Sequence, residues 1–124
     1  MPKVSSRSAG ATYLDKEERI EQLRKAAARA RKCIPEIKRV ILFGSLATGI
    51  PSPRSDADLL IVVESSPHRY SRDRLPEALR ALSPLPCAID LHVLTVEEVD
   101  RFQREGSPLL RVALTTGHDL LSAD

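Results

Sequence analysis

Long apolar runs, paired cysteines and charge of one sign are all missing from this chain. No stretch approaches the roughly 20 apolar residues a bilayer crossing needs, so no membrane span is expected. Two cysteines, Cys33 and Cys87, stand far apart with no CxxC spacing. They read as small buried hydrophobes of a reduced, cytoplasmic protein rather than as redox or metal groups. The net charge of +2 is too small to argue for nucleic acid as a partner. Met1 to Tyr13 holds Lys3 and Arg7 but no apolar segment behind them, which is no signal peptide. Residues 1–13 are expected to be a flexible tail and 14–124 one domain. No Ser-His-Asp order, zinc-ligand spacing or internal repeat is present.

What is present is a chain of 124 residues, 42% hydrophobic and 29% charged, large enough for one core. Asp15 with Glu18 forms a capping box, and Ile20, Leu23, Ala27, Ala30 and Ile34 follow at helical spacing until Pro35. Lys38 to Phe43 and Ala57 to Glu64 are strands apolar on both faces, hence central. Ser71 is expected to cap a helix to about Leu82 with Leu75, Leu79 and Leu82 inward, Pro76 lying in its first turns. A third strand spans about Cys87 to Leu94. Thr95 with Glu98 opens another helix that Gly106 ends, and Ser107-Pro108 opens a last one, closed by Gly117 before a strand-like His118 to Leu121. This order predicts a small α+β domain of α/β two-layer type, with strand order 1-2-3.

Chemistry concentrates at three places. Gly44-Ser45 ends the first strand; Asp56-Ala57-Asp58 opens the second; Asp90 lies between Ile89 and Leu91 in the third. Residues two apart on a strand share a face, so Asp56 and Asp58 point the same way while Ala57 turns away. For Gly44 to meet Asp56, strands one and two must be antiparallel. The helix joining strands two and three, whose acids lie near the same end, suits a parallel crossover. Unit charges about 4 Å apart repel by roughly 4 kcal/mol at an effective dielectric near 20. Three carboxylates gathered beside Ile and Leu therefore call for cations. Magnesium suits oxygen ligands and brings nucleotide phosphates with it. Two such ions can clamp the attacking and leaving oxygens of an in-line displacement. Gly44 permits close backbone approach, and Ser45 can offer an N–H and a hydroxyl to a phosphate. Taken singly, each of these residues also has an ordinary structural reading, as turn or exposed strand residue.

The constellation Phe43-Gly44-Ser45, ten residues, Asp56-Ala57-Asp58-Leu59, then Ile89-Asp90-Leu91 resembles the DNA polymerase β-like nucleotidyltransferase superfamily, over roughly residues 15 to 121. It is most similar to the minimal nucleotidyltransferase (MNT) group that pairs with helical HEPN proteins. The resemblance implies that Asp56 and Asp58 hold two Mg²⁺ ions. Asp90 would hold the catalytic one and help deprotonate the acceptor hydroxyl. It further implies that Gly44 and Ser45 bind the β- and γ-phosphates of a nucleoside triphosphate, ATP being the expected substrate. The reaction implied is transfer of AMP to a hydroxyl, with release of pyrophosphate. Small members often read Gly-Ser-x-Ala-Arg-Gly; here Thr48 replaces the arginine, and Arg54 is the substitute considered for nucleotide binding. Larger relatives carry a second domain for the acceptor. A HEPN-type partner protein is therefore the expected acceptor, within a toxin–antitoxin pair and with homo- or hetero-oligomers open. The rival readings are an antitoxin that neutralises its partner by contact alone, and a small-molecule (antibiotic) adenylyltransferase.

Other features carry weaker expectations. Arg24, Lys25, Arg29, Arg31, Lys32, Lys38 and Arg39 read as a solvated basic face or a surface for an acidic partner or RNA. Arg69, Arg72 and Arg74 are within sequence reach of a triphosphate or partner. His92 shares its strand side with Asp90, where it either borders the site or is a satisfied, partly buried histidine.

Overall fold

Two adjacent strands supply most of the fully buried large side chains, and every other element is arranged around them. The computed structural model describes residues 9–44 and 57–122, with backbone only for 9–15. The elements are α1 (Ala9–Cys33), β1 (Ile37–Phe43), β2 (Ala57–Val63), a 3₁₀ turn (Ser71–Arg74), α2 (Leu75–Leu82), β3 (Ile89–Thr95), α3 (Val96–Arg104), α4 (Pro108–Thr116) and β4 (His118–Asp119). The sheet order is β3-β2-β1-β4. β1 runs antiparallel to β2, and β2 runs parallel to β3, as the positions of Gly44 and the acids required. The 1-2-3 order holds, and β4 extends it on the free edge of β1, antiparallel at Ile41 and Leu42.

Alternation along the strands makes two cores. Val40, Leu42, Leu59, Ile61, Val63, Leu91 and Val93 face Leu23, Ala26, Ala27 and Ala30 of α1 and Ala78 and Leu82 of α2. The alanines let α1 lie close to the sheet, since a small side chain adds little thickness between backbones. On the other face Ile41, Phe43, Leu60, Val62 and Leu94 meet Leu110 and Ala113 of α4, with Val99 and Phe102 of α3 at the margin. Helices thus cover both faces. Each fully buried Leu or Ile contributes on the order of 1.5–3 kcal/mol, which is why β1 and β2 tolerate no polar residue at their centres.

Local chemistry explains the element ends. The Thr95 hydroxyl accepts from the Glu98 N–H while the Glu98 carboxylate accepts from the Thr95 N–H, the reciprocal cap expected of α3. Ser107 accepts from the Leu110 N–H at the start of α4, with Pro108 as the first helical residue. Three expectations are corrected. α1 is already formed at Ala9, so Asp15 lies inside it rather than at its N-cap. Ala9, Ala11 and Leu14 are strong helix formers, and an aspartate alone does not begin a helix. Ser71 does not cap α2, because its hydroxyl donates to the Val93 carbonyl and the chain makes a 3₁₀ turn first. That offset turns Ala78 rather than Leu79 inward, and Leu79 is left 38% exposed. Cys33, expected to be buried, is exposed as the last residue of α1.

Candidate functional site

The strand register decides whether the acids can act together. Asp58 pairs directly with Asp90 across the parallel β2–β3 ladder, and Phe43 pairs with Asp58 across β1–β2. Neighbours in register project from the same face, so both carboxylates lie side by side on the face that holds Phe43 and Leu60. They occupy the amino ends of β2 and β3, where the carboxyl end of β1 meets them. Asp58 is half-buried and Asp90 exposed.

Gly44 closes the site from the β1 side. Its φ is +81°, a conformation L side chains rarely adopt. A Cβ added there would collide with Oδ2 of Asp58, so the glycine backbone forms a cradle against that carboxylate. The small residue therefore serves both the turn and the approach of the acid. His92 completes this wall. Its Nε2 lies 3.8 Å from Oδ2 of Asp90, and its ring centroid lies 6.4 Å from that of Phe43. His92 is thus partly buried and adjacent to Asp90.

Ser45, Arg54 and Asp56 lie outside the described residues, as does Thr48. Among the described residues no group of three His, Cys, Asp or Glu side chains could hold a metal ion. The two acids in register nonetheless present the donor chemistry of a hard divalent cation, carboxylate oxygens without sulfur. They fit such an ion.

At the opposite end of the same strands the sequence reading missed a second charged assembly. Arg74 is only 5% exposed. Its guanidinium donates to the carbonyls of His68 and Val93 and, through both terminal nitrogens, to the Glu98 carboxylate at 2.6 and 3.2 Å. Burial pushes the Glu98 carboxyl up. The Arg74 hydrogen bond, the Thr95 N–H and the charges of Arg74 and Arg101 outweigh it, leaving Glu98 below its usual value. Arg74 is thus a structural ion-pair residue bound to the Val93 carbonyl, roughly 10 Å along β3 from Asp90 by strand rise, with its donors taken by Glu98 and backbone. The only signal in the sequence was Glu98 itself, already accounted for as a cap.

A mixed sheet with paired acids beside a glycine turn defines a nucleotidyltransferase-type fold, and the comparisons agree. Residues 20–111 match the nucleotidyltransferase domain family, and the chain belongs to that family. Among solved structures it is similar to a provisionally assigned nucleotidyltransferase from Sulfolobus solfataricus, with TM-score 0.58 and 23% identity over 77% of this chain and 83% of that one. It is also similar to a chain of a toxin–antitoxin complex crystallised with AMP-PNP, with TM-score 0.53 and 21% identity over 82% of this chain and 74% of that one. At these identities the likeness concerns the fold. Among curated proteins none matches. Within the described residues no helix is long and apolar enough to cross a membrane.

Proposed function

We propose that this protein transfers AMP from ATP to a hydroxyl of a partner protein, as the antitoxin member of a HEPN/MNT-type pair. The observation that supports the reading is the Asp58–Asp90 register against the Gly44 cradle, two carboxylates side by side at a glycine turn. Asp56, two residues before Asp58, is the third acid of the set. The toxin–antitoxin neighbour with AMP-PNP supports the choice of nucleotide and of a protein partner.

In this reading the acceptor hydroxyl oxygen forms a bond to the α-phosphorus, and the bond from that phosphorus to the bridging oxygen breaks. Pyrophosphate leaves with the electron pair, and Asp90 takes the hydroxyl proton. Gly44 and Ser45 hold the β- and γ-phosphates, Gly44 by close backbone approach. Arg54 is assigned to the same phosphates. Asp56, Asp58 and Asp90 would hold Mg²⁺, which when bound would supply the positive charge that lets acids and phosphates share the space. The protein's part is to present Asp58 and Asp90 in register on adjacent strands.

The test is incubation with α-labelled ATP, magnesium and the product of the neighbouring gene. Label is expected on the partner, and Asp56→Ala with Asp58→Ala should remove it. A complex that forms equally well with no label transferred would leave inhibition by contact alone. Label found on an aminoglycoside without any partner would instead indicate small-molecule modification.

A further inference from the structure

β3 is the last strand on its side of the sheet, so one line of its backbone groups has no neighbouring strand. Those groups alternate along it. The Ala88 carbonyl accepts from the Ala57 N–H of β2, which sets Ala88, Asp90, His92 and Leu94 bonding inward. Ile89, Leu91, Val93 and Thr95 therefore turn their N–H and C=O groups outward. In the carboxyl half the chain closes this edge itself. The Val93 carbonyl accepts from Ser71 Oγ at 2.7 Å and from Arg74 at 3.0 Å, and the Thr95 N–H donates to the Glu98 carboxylate at 2.9 Å. Among the described residues no hydrogen bond reaches the outward groups of Ile89 and Leu91. Proteins normally blunt an open strand edge, and here the blunting stops short of Asp90.

The open stretch coincides with the acid site. Phe43, Asp58 and Asp90 form one row across the sheet, with Asp58 on one side of Asp90. His92 stands beyond Asp90 along β3, its Nε2 3.8 Å from the carboxylate. The other lateral side of Asp90 is the outer edge, and the Asp90 side chain is 56% exposed. A strand added there would lie about 4.8 Å from β3 and set one residue level with Asp90 on the same face. A hydroxyl on that residue comes within reach of the carboxylate. We propose that the edge of β3 at Ile89 and Leu91 receives an extended segment of the acceptor protein, which adds as a further strand and presents its hydroxyl to Asp90. Main-chain hydrogen bonds hold such a segment, and its alternate side chains set the register. Nucleic acid lacks the amide ladder that this edge pairs with, and a small hydroxyl compound has no backbone to be held by. The choice of the acceptor as occupant rests on the transfer reading above; the openness of the edge does not.

Residue-resolved amide hydrogen exchange of the full chain tests the edge, first alone and then with the product of the neighbouring gene. Alone, the Leu91 N–H should exchange about tenfold faster, or more, than those of Asp90 and His92, which bond to β2. Slow exchange at Leu91 in the free protein would show an edge already covered. Protection that rises with protein concentration would assign the edge to a second copy. Either result overturns the proposal. With the partner, exchange at Leu91 should slow about tenfold; a complex that leaves it fast, or no complex, overturns the proposal too. Label transfer from ATP, scored in the same samples, separates the two readings. Protection without transfer keeps the added strand and removes the reaction, while transfer without protection removes the added strand alone. Ile89→Pro deletes one outward N–H at the first position of β3, where proline spares the β2 ladder, and should weaken partner binding about fivefold. Ile89→Val keeps that N–H and should bind as wild type; equal weakening by both variants would reduce the effect to side-chain packing and overturn the proposal. Circular dichroism identifies any loss that comes from misfolding, and in that event the wild-type exchange at Leu91 decides.

Discussion

The two ends of the β2–β3 pair treat charge in opposite ways. At the amino ends, Asp58 and Asp90 put like charges side by side in strand register. At the carboxyl ends, Arg74 and Glu98 interlock opposite charges, each hydrogen-bonded further to backbone. The second arrangement is complete within the chain and stabilises it. The first gathers charge of one sign, the arrangement that the proposed function assigns to a divalent cation.

Breaking the interlocked end should have the largest effect on stability. Arg74→Met leaves a largely buried Glu98 carboxylate without its cation, and is expected to cost about 3–5 kcal/mol in urea unfolding. Transfer activity per folded molecule should stay near wild type; a large specific loss would show that the two ends are coupled. Next comes Gly44→Ala, which places a methyl against Asp58 at positive φ. A cost of about 1–3 kcal/mol is expected, with loss of nucleotide binding, read by thermal melting and by titration with ATP.

Acid sharpens the contrast further. Glu98 is held below its usual value, so its contribution is present above the ordinary carboxylate range and lost as pH falls through its folded-state pKa. The urea midpoint should therefore fall on going to acid. In Glu98→Gln that fall should be smaller, and an unchanged fall would place the acid sensitivity elsewhere. The smallest stability effect belongs to the acid end. Asp90→Asn removes one of two like charges on an exposed site, so stability should stay within about 0.5 kcal/mol of wild type or rise. Label transfer should nevertheless drop by at least about a hundredfold. A clear destabilisation without that drop would make Asp90 a structural residue.

Much of the fold was legible because its signals are local. Strand apolarity, the Thr95–Glu98 box, Ser107-Pro108 and the Gly44 turn each announce themselves within a few residues, and each appears in the structure. The reading failed where a choice depended on a distant neighbour. Ser71 could cap a helix or bond Val93, and the nearness of β3 decided for Val93. Leu79 had the spacing of a core residue, but the 3₁₀ turn rotated α2 and sent Ala78 inward. Asp15 carries a helix-start signature, but the helix-forming residues before it extend α1 back to Ala9.

The candidate site divides the same way. Asp58, Asp90 and Gly44 could be named from sequence because acids adjoining apolar strand residues are out of place unless chemistry requires them. That Asp58 and Asp90 stand in register, and that Gly44 packs against the Asp58 carboxylate, are facts of strand pairing between residues far apart in the chain. Arg69, Arg72, Arg74 and Glu98 each stood out in the sequence, but nothing in the spacing of 69, 74 and 98 tells which of them meet. Composition and periodicity determined which elements form, because those depend on each residue and its near neighbours. Which charges become partners, and which are left facing a ligand, was decided only when the strands paired and the helices closed over both faces.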